Sequence, residues 1–210
     1  MKTLKEYIVN ENKFFKNLGI GIQPKIEEWL KQHKITNYTI NEDLTIDVNG
    51  NVYLNNYVEK ELPEYIQFNN VSKKFVLWHS NIVNLRGCPV TCESFGCIKC
   101  DNLSSLKGCP KIVDRFEVNS CNKLEDLVGS PKTVKGEINC YGNINLKSLK
   151  GCPKKCKNFV CICNKNLKLL EYAPQSCKYV VCYGNGKHFW EDEIRKYIKC
   201  EEIENPSYTE

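Results

Sequence analysis

The chain has 210 residues, 30 of them basic and 25 acidic, and a formal net charge of +5. This charge is too small and too mixed in sign to indicate nucleic-acid binding, which needs basic residues concentrated on one face. No run of about 18 apolar residues is present, and the N-terminal residues are too polar for a signal peptide. We therefore predict one cytoplasmic domain that binds neither nucleic acid nor a membrane.

Residues 1–37 contain two segments with apolar residues at helical spacing. In the second segment Ile26, Trp29 and Leu30 share one helical face, and Pro24 suits the first helical turn. We predict that residues 1–37 form an N-terminal helical cap on the domain that follows.

Residues 38–54 alternate apolar and polar side chains around Asn49 and Gly50. Such alternation is typical of a half-buried strand, and Asn-Gly is a strong signal for a two-residue hairpin turn. We predict two short strands joined at this turn. Residues 62–89 then hold two less regular units, and the clearer unit contains Phe75 and Leu77 at strand spacing.

The centre of the chain is a repeat array in which a proline closes each unit. The prolines lie 21, 21, 22 and 21 residues apart, at Pro89, Pro110, Pro131, Pro153 and Pro174. A fixed period of this length is typical of stacked repeats, in which each unit buries its apolar side against the next. We therefore predict a solenoid with a core built from columns of side chains.

Each unit of the array has two pairs of apolar residues. The first pair has the two-residue spacing of one strand face: Phe95 and Cys97, Phe116 and Val118, Ile138 and Cys140, and Phe159 and Cys161. The second pair has the three-residue spacing of a short helical turn: Leu103 and Leu106, Leu124 and Leu127, Leu146 and Leu149, and Leu167 and Leu170. We predict that both pairs point into the core.

The order of residues in each unit resembles the leucine-rich repeat, because an alternating apolar pair is followed by Asn or Cys and then by spaced leucines. The Asn/Cys position is filled by Cys100, Cys121, Asn143, Asn164 and Asn185. The resemblance implies that these side chains bond backbone groups of the turn after the strand, and that no catalytic motif is present. The blocks YTINEDLTIDVNGNVYLNN and LPEYIQFNNV are similar to leucine-rich-repeat-like proteins of large tailed bacteriophages.

The predicted fold class is an α/β repeat: a leucine-rich-repeat-like solenoid with short parallel strands, irregular or 3₁₀ returns, and helical caps at both ends. The solenoid spans residues 38–186, and residues 187–210 form a C-terminal cap helix and an acidic, disordered tail. In this helix Trp190, Ile194 and Tyr197 lie on one face. The opening residues also resemble the leaders that direct internal proteins into the prohead of some phages, but they lack a clear cleavage glutamate after a small residue.

Fourteen cysteines are spread along the chain, and they share repeat positions with small apolar residues. Cys92, Cys156 and Cys177 hold the same repeat position as Val113 and Val134, for example. Free cysteine behaves as a small buried hydrophobe. The pattern therefore predicts ladders of reduced thiols in a reducing cell, rather than the disulfide framework of a small secreted protein.

The strand residues that alternate with the inward ones point outwards and form the predicted partner-binding site. The site comprises Trp78, Ile98, Arg115, Glu117, Asn119, Tyr141, Ile162, Tyr179 and Tyr183. The last outward residue of each strand forms a column that is too apolar for an ordinary solvated surface: Trp78, Ile98, Asn119, Tyr141, Ile162 and Tyr183. Aromatic anchors carry much of the energy of protein interfaces. The alternatives are that a loop, the N-terminal segment or a second copy covers the face, or that strand propensity alone placed these residues.

Metal binding and thiol catalysis are the chemical alternatives. Cys97 and Cys100 form a CxxC motif, although both already fill structural positions of the repeat. Cys92 lies nearby, and Cys161 and Cys163 form a CxC motif, so four thiolates could in principle meet at a zinc ion. The three histidines are isolated in sequence, and no phosphate-binding loop is present. We expect no enzyme activity and no cofactor, and we expect Cys163 to be the most reachable thiol.

The leucine-rich-repeat resemblance implies a non-enzymatic protein-binding module that uses the sheet face. The phage resemblance implies that the partner is a host protein, including a component of host defence that the binder would inhibit. The alternative is a structural or virion-associated protein, and zinc stabilisation is a further variant of it. We interpret a group of lysines between residues 147 and 168 as a solvated convex face, with an RNA groove as the alternative.

Overall fold

The computed structural model describes residues 21–205, which form one ten-stranded sheet and two short helices. The helices are α1 (Ile22–Gln32) and α2 (Glu191–Tyr197). The strands are β1 (Tyr38–Ile40), β2 (Ile46–Val48), β3 (Val52–Asn55), β4 (Phe68–Trp78), β5 (Thr91–Ile98), β6 (Ile112–Asn119), β7 (Thr133–Asn139), β8 (Asn158–Ile162), β9 (Tyr179–Tyr183) and β10 (Glu202–Glu204). The predictions for residues 1–20, including the first helix and the prohead leader, and for residues 206–210 lie outside the described residues.

From β4 onwards each strand pairs in parallel with the next strand along the chain, so the sheet grows by one strand per coil. The result is a solenoid of about eight turns, which confirms the predicted repeat fold. The returns between the strands are irregular turns, and residues 21–205 contain no 3₁₀ helix. The fold is mostly sheet with only two short helices, so the α/β class and the helical caps are not confirmed.

The inward strand residues form two columns through the solenoid. The first column runs through Phe75, Phe95, Phe116, Ile138, Phe159 and Val180, and the second through Leu77, Cys97, Val118, Cys140, Cys161 and Cys182. All of these side chains are fully buried, which confirms the predicted inward pairs. The rings of Phe75 and Phe95 stack with their centroids 5.9 Å apart. The solenoid therefore buries its apolar area between successive coils rather than around one centre.

The predicted leucine pairs are also part of this core. All eight leucines are buried, from Leu103 to Leu170. A glycine at the end of the return permits this packing: Gly151 has a φ of +94°, and a Cβ built on it would lie 2.4 Å from the carbonyl oxygen of Leu127 on the previous coil. Only glycine fits there, so this corner sets how closely the two coils stack.

A ladder of polar side chains at the Asn/Cys position joins each coil to its neighbours. Asn143 Nδ2 donates to the Val118 carbonyl oxygen at 2.8 Å, and Asn143 Oδ1 accepts from the Cys121 amide at 2.8 Å. The amide of Asn143 in turn donates to Asn164 Oδ1 at 3.0 Å, and the amide of Asn164 donates to Asn185 Oδ1 at 3.0 Å. Buried backbone groups that the turns leave unpaired are thus satisfied by the neighbouring coil.

The two short strands predicted around Asn49 and Gly50 are present as β2 and β3, but they do not pair with each other as a hairpin. The strands on either side of this turn, β2 and β3, both pair in parallel with the 11-residue β4. The antiparallel partner of β2 is β1, and the turn between them spans residues 41–45, where Leu44 has a φ of 63°. The local Asn-Gly signal is overridden because β4 is long enough to accept two strands along one edge.

Strands form both edges of the sheet. At the N-terminal end β1 is the edge strand, and α1 packs on the core through Trp29, whose ring centroid lies 6.3 Å from that of Phe68. At the C-terminal end β10 pairs in parallel with β9, so residues 202–204 are ordered, contrary to the predicted disordered tail. In α2, Ile194 is buried, whereas Trp190, which was predicted to share its face, is 62% exposed. No helix in the described part of the chain has the length and apolarity needed to cross a membrane.

Candidate functional site

The strand residues that alternate with the inward ones form three outward columns, which together we call the outer sheet face. The first column contains Lys74, Ser94, Arg115, Glu137, Asn158, Tyr179 and Glu202; the second contains Tyr53, Val76, Gly96, Glu117, Asn139, Val160, Val181 and Glu204; and the third contains Asn55, Trp78, Ile98, Asn119, Tyr141, Ile162 and Tyr183. Since hydrogen-bonded strands lie about 4.8 Å apart, each column is a continuous row of side chains.

Apolar and aromatic side chains gather at the N-terminal part of this face, in what we call the first patch. It comprises Tyr53, Val76, Trp78 and Ile98. Tyr53 is 47% exposed and Trp78 is 39% exposed, so both rings present apolar area to solvent. Gly96 lies beside them and is covered by its neighbours, because a Cβ built on it would lie 3.7 Å from Val76 and from Glu117. The patch therefore presents two exposed aromatic rings to a partner.

Charged side chains occupy the middle of the outer sheet face. The Arg115 guanidinium lies 3.5 Å from a carboxylate oxygen of Glu117 and 3.5 Å from one of Glu137. The Arg115 side chain is half exposed, and the two glutamates are largely covered. Half-exposed ion pairs contribute little to folding stability, so this cluster can exchange partners at small cost.

A second patch follows towards the C-terminal end of the face. It comprises Tyr141, Val160, Ile162, Val181 and Tyr183. The Tyr141 side chain is 46% exposed. At its border the Tyr179 hydroxyl donates to the Glu204 carboxylate on β10, and this hydrogen bond raises the pKa of Tyr179 because it stabilises the protonated phenol.

All nine residues of the predicted partner-binding site lie on the outer sheet face. Their role in binding remains a prediction. Tyr53 and Glu204 are absent from the predicted site, because residues 52–55 were assigned to a hairpin and residues 202–204 to a tail. A comparison of the segment Val-Tyr-Leu-Asn at residues 52–55 with Phe-Val-Leu-Trp at residues 75–78 could have found Tyr53, since the two share their inward apolar positions.

The cysteines are part of the core rather than of the outer sheet face. All fourteen are free thiols, and nine of them are buried. Burial raises the pKa of Cys92 to about 12 and holds the pKa values of Cys88 and Cys97 well above the usual range. Such thiols are protonated at neutral pH and are therefore poor nucleophiles. Hydrogen bonds with the thiols of Cys121 and Cys97, in contrast, lower the pKa of Cys100 to about 4. Within residues 21–205 no three His, Cys, Asp or Glu side chains are grouped so that they could hold a metal ion.

Each histidine lies against a tryptophan, and Cys163, which was predicted to be the most reachable thiol, is one of five partly exposed cysteines within residues 21–205. Each histidine ring contacts a tryptophan ring, with centroid distances of 4.1 Å for His33 and Trp29, 4.4 Å for His79 and Trp78, and 4.3 Å for His188 and Trp190. Cys163 is partly exposed, and its backbone amide donates to the Tyr183 carbonyl at 3.0 Å. A depression of about 620 Å³ beside Gly87 and Gly108 is lined by two cysteines and three cations, without a histidine.

No protein-family model matches the chain, and neither a curated protein nor a solved structure matches it. The chemistry of the outer sheet face is therefore the basis for a functional proposal.

Proposed function

We propose that the protein is a non-enzymatic binding module that holds a protein partner on its outer sheet face. The observation that carries this proposal is the presence of two patches with exposed aromatic rings on one face, separated by the Arg115 cluster. Tyrosine, tryptophan and arginine are enriched among the residues that dominate interface energy. Tyr53 and Trp78 would anchor one end of the partner, and Tyr141 and Tyr183 would anchor the other.

The separation of the two patches favours a macromolecule over a small ligand. Trp78 and Tyr141 are three strand spacings apart in the third column, or about 14 Å, and Tyr183 lies two spacings further on. A small molecule would occupy one patch and leave the other exposed. A protein surface can cover both patches and pair with the charged cluster between them.

The rigidity of the solenoid supports the same function. The outward side chains are fixed by parallel pairing on both sides and by the polar ladder that joins the coils. A preformed surface loses little conformational freedom on association, so more of the contact energy becomes affinity.

The helices are proposed to close the ends of the apolar core. Trp29 of α1 lies against Tyr57 and Phe68, and Ile194 of α2 is fully buried. An uncovered terminal coil would expose the cross-section of the core columns and invite edge-to-edge association.

The source of the partner is proposed from the resemblance to phage proteins. Such a protein would act in the cytoplasm of the host cell, and its partner would be a host protein. A component of host defence is one such candidate, and a rigid binder that occupies its surface would inhibit it.

Affinity purification from host cytosol under reducing conditions, followed by mass spectrometry, tests this proposal. Wild-type protein is compared with the double variant Tyr141→Ala and Tyr183→Ala. The matched control carries Tyr172→Ala and Tyr197→Ala, which remove two exposed rings away from the outer sheet face. We expect one stoichiometric partner with wild type and control, and a loss of affinity of at least about tenfold with the double variant.

Two results would contradict the proposal. A folded double variant that retains the partner as well as wild type would remove the outer sheet face as the binding site. Recovery of the protein alone would favour the structural or virion-associated alternative, and near-stoichiometric zinc in that material would favour its zinc-stabilised variant.

A further inference from the structure

Eight lysines lie at the N-terminal ends of the strands from β6 to β10, on one side of the solenoid. This lysine row comprises Lys111, Lys132, Lys135, Lys154, Lys155, Lys157, Lys178 and Lys199. Every one of these side chains is exposed. Among the ion pairs within residues 21–205, none involves a member of the row. No lysine of the row is therefore held in an ion pair by another side chain of the described residues.

Backbone pairing sets members of the row beside one another on successive coils, although Gln175 and Ser176 occupy two of the aligned positions. The Lys132 amide donates to the Lys111 carbonyl oxygen at 2.9 Å, and the Lys178 amide donates to the Lys157 carbonyl oxygen at 2.8 Å. The row extends from the coil of β6 to the coil of β10, where Lys199 lies. Lys111 and Lys199 are thus four coil spacings apart, or about 19 Å.

The row belongs to a wider charge asymmetry along the chain. Residues 131–200 contain 14 basic and 5 acidic side chains, a net charge of +9, whereas residues 21–130 contain 12 basic and 14 acidic ones. At the same ends of the strands, Glu93 precedes the row, Asp114 lies within it beside Gly136, and Glu201 follows it; all three acidic side chains are exposed. The overall charge of +5 is therefore distributed unevenly, with the excess of basic residues confined to the C-terminal coils.

We propose that the lysine row binds the phosphate backbone of double-stranded nucleic acid without sequence preference. A duplex carries one charge per about 1.7 Å of its axis, so its phosphates present a dense array of anions to the exposed lysines. A row of about 19 Å corresponds to five or six base pairs at about 3.4 Å each. The row lies at the N-terminal ends of the strands and does not include any residue of the two aromatic patches. This inference therefore does not depend on the proposed protein-binding function.

The residue types in the row favour a duplex backbone over other polyanions. The row contains no arginine, so the bidentate contacts that read bases are not expected. It contains no aromatic side chain, and single strands are held largely by stacking of their bases on aromatic rings. Lysine is a hydrated point charge that suits contact with phosphate. An acidic protein segment is the competing partner, and the experiment distinguishes it.

The test measures binding of the full chain to a fluorescent DNA duplex of about 20 base pairs by anisotropy, over a series of NaCl concentrations. A triple variant removes three charges from the row: Lys132→Gln, Lys155→Gln and Lys178→Gln. The matched control removes three charges from exposed lysines elsewhere: Lys34→Gln, Lys60→Gln and Lys73→Gln. If wild type contacts five phosphates, an increase from about 25 to about 100 mM NaCl weakens binding by about 500-fold in wild type and control, and by about 12-fold in the triple variant.

Several results would overturn the inference. They are an absence of duplex binding at about 25 mM NaCl, an equal change of the salt dependence in both triple variants, and tighter binding to single-stranded DNA than to the duplex. Tighter binding to poly-glutamate than to the duplex would assign the row to an acidic protein instead. Circular dichroism spectra that match wild type confirm that each variant is folded before it is compared.

Discussion

At the scale of single residues, cysteine and valine exchange positions from coil to coil. Cys92 pairs with Val71 on the previous strand, and Cys97 pairs with Val118 on the next. Both cysteines are buried. Their place in the core could be predicted from the sequence, because cysteine and valine are similar in size and neither needs a hydrogen-bond partner when buried.

Buried thiols whose pKa is raised, such as that of Cys92, make stability fall at alkaline pH. The pKa of Cys92 is about 12 in the folded protein, whereas a thiol in an unfolded chain has a pKa of about 8.5. Only the unfolded state loses this proton between the two values. The contribution to stability is therefore complete below about pH 8.5 and is lost as the pH rises towards 12, at up to about 1.4 kcal/mol per pH unit for each such thiol.

Urea unfolding in reducing buffer from about pH 7 to pH 11 measures this effect. Cys92→Val places the residue of the neighbouring coil at the same position, so we expect its free energy of unfolding to fall less steeply above about pH 9 than that of wild type. Parallel curves for the two proteins over this range would show that Cys92 titrates alike in the folded and unfolded states.

The polar ladder gives a second prediction at this scale. Asn143→Ala leaves the Val118 carbonyl and the Cys121 amide without their partner in the buried turn. We expect a loss of about 2–5 kcal/mol in the free energy of unfolding, measured by denaturant titration. Asn143→Cys should cost less, because the thiol of Cys121, at the same position of the previous coil, donates to a backbone carbonyl at 3.4 Å. Equal losses for the two variants would contradict a hydrogen-bonding role.

At the scale of elements, the leucines of the returns are as important to the core as the strands. Leu127 is fully buried, whereas its neighbour Val128 is 48% exposed. Leu127→Ala leaves a cavity between stacked coils and should lower the free energy of unfolding by about 2–5 kcal/mol. Val128→Ala is the matched control and should change it by less than about 0.5 kcal/mol. A similar change for both variants in chemical denaturation would contradict the stacking of the returns.

Elements at the two ends were harder to predict than those of the central array. β3 carries the apolar alternation of an ordinary strand, but the adjacent Asn49 and Gly50 favour a local hairpin. Its parallel partner is a strand more than twenty residues away, so the pairing depends on the whole coil. β10 has only three residues, and its sequence alone resembles that of an acidic tail. It forms a strand because it pairs with the edge of β9, which the local sequence does not show.

At the scale of the whole molecule, the period of the repeats determines which residues share a surface. Once the period of about 21 residues is known, the three columns of the outer sheet face follow from strand alternation, and all nine predicted site residues lie there. Three members of the lysine row, Lys154, Lys155 and Lys157, belong to the group that the sequence analysis interpreted as a solvated convex face. The other members were not predicted, because they come from coils whose lengths differ by a residue. Their alignment depends on backbone pairing between the coils, such as that of Lys155 with Ser176.

The measurement that tests the binding role of the outer sheet face most directly is hydroxyl-radical footprinting of the protein with and without its captured partner. We expect Tyr53, Trp78 and Tyr141 to become protected in the complex, while Tyr172 and Trp190, which are exposed away from this face, react as before. Protection of Tyr172 and Trp190, with unchanged reactivity across the outer sheet face, would contradict the proposed function.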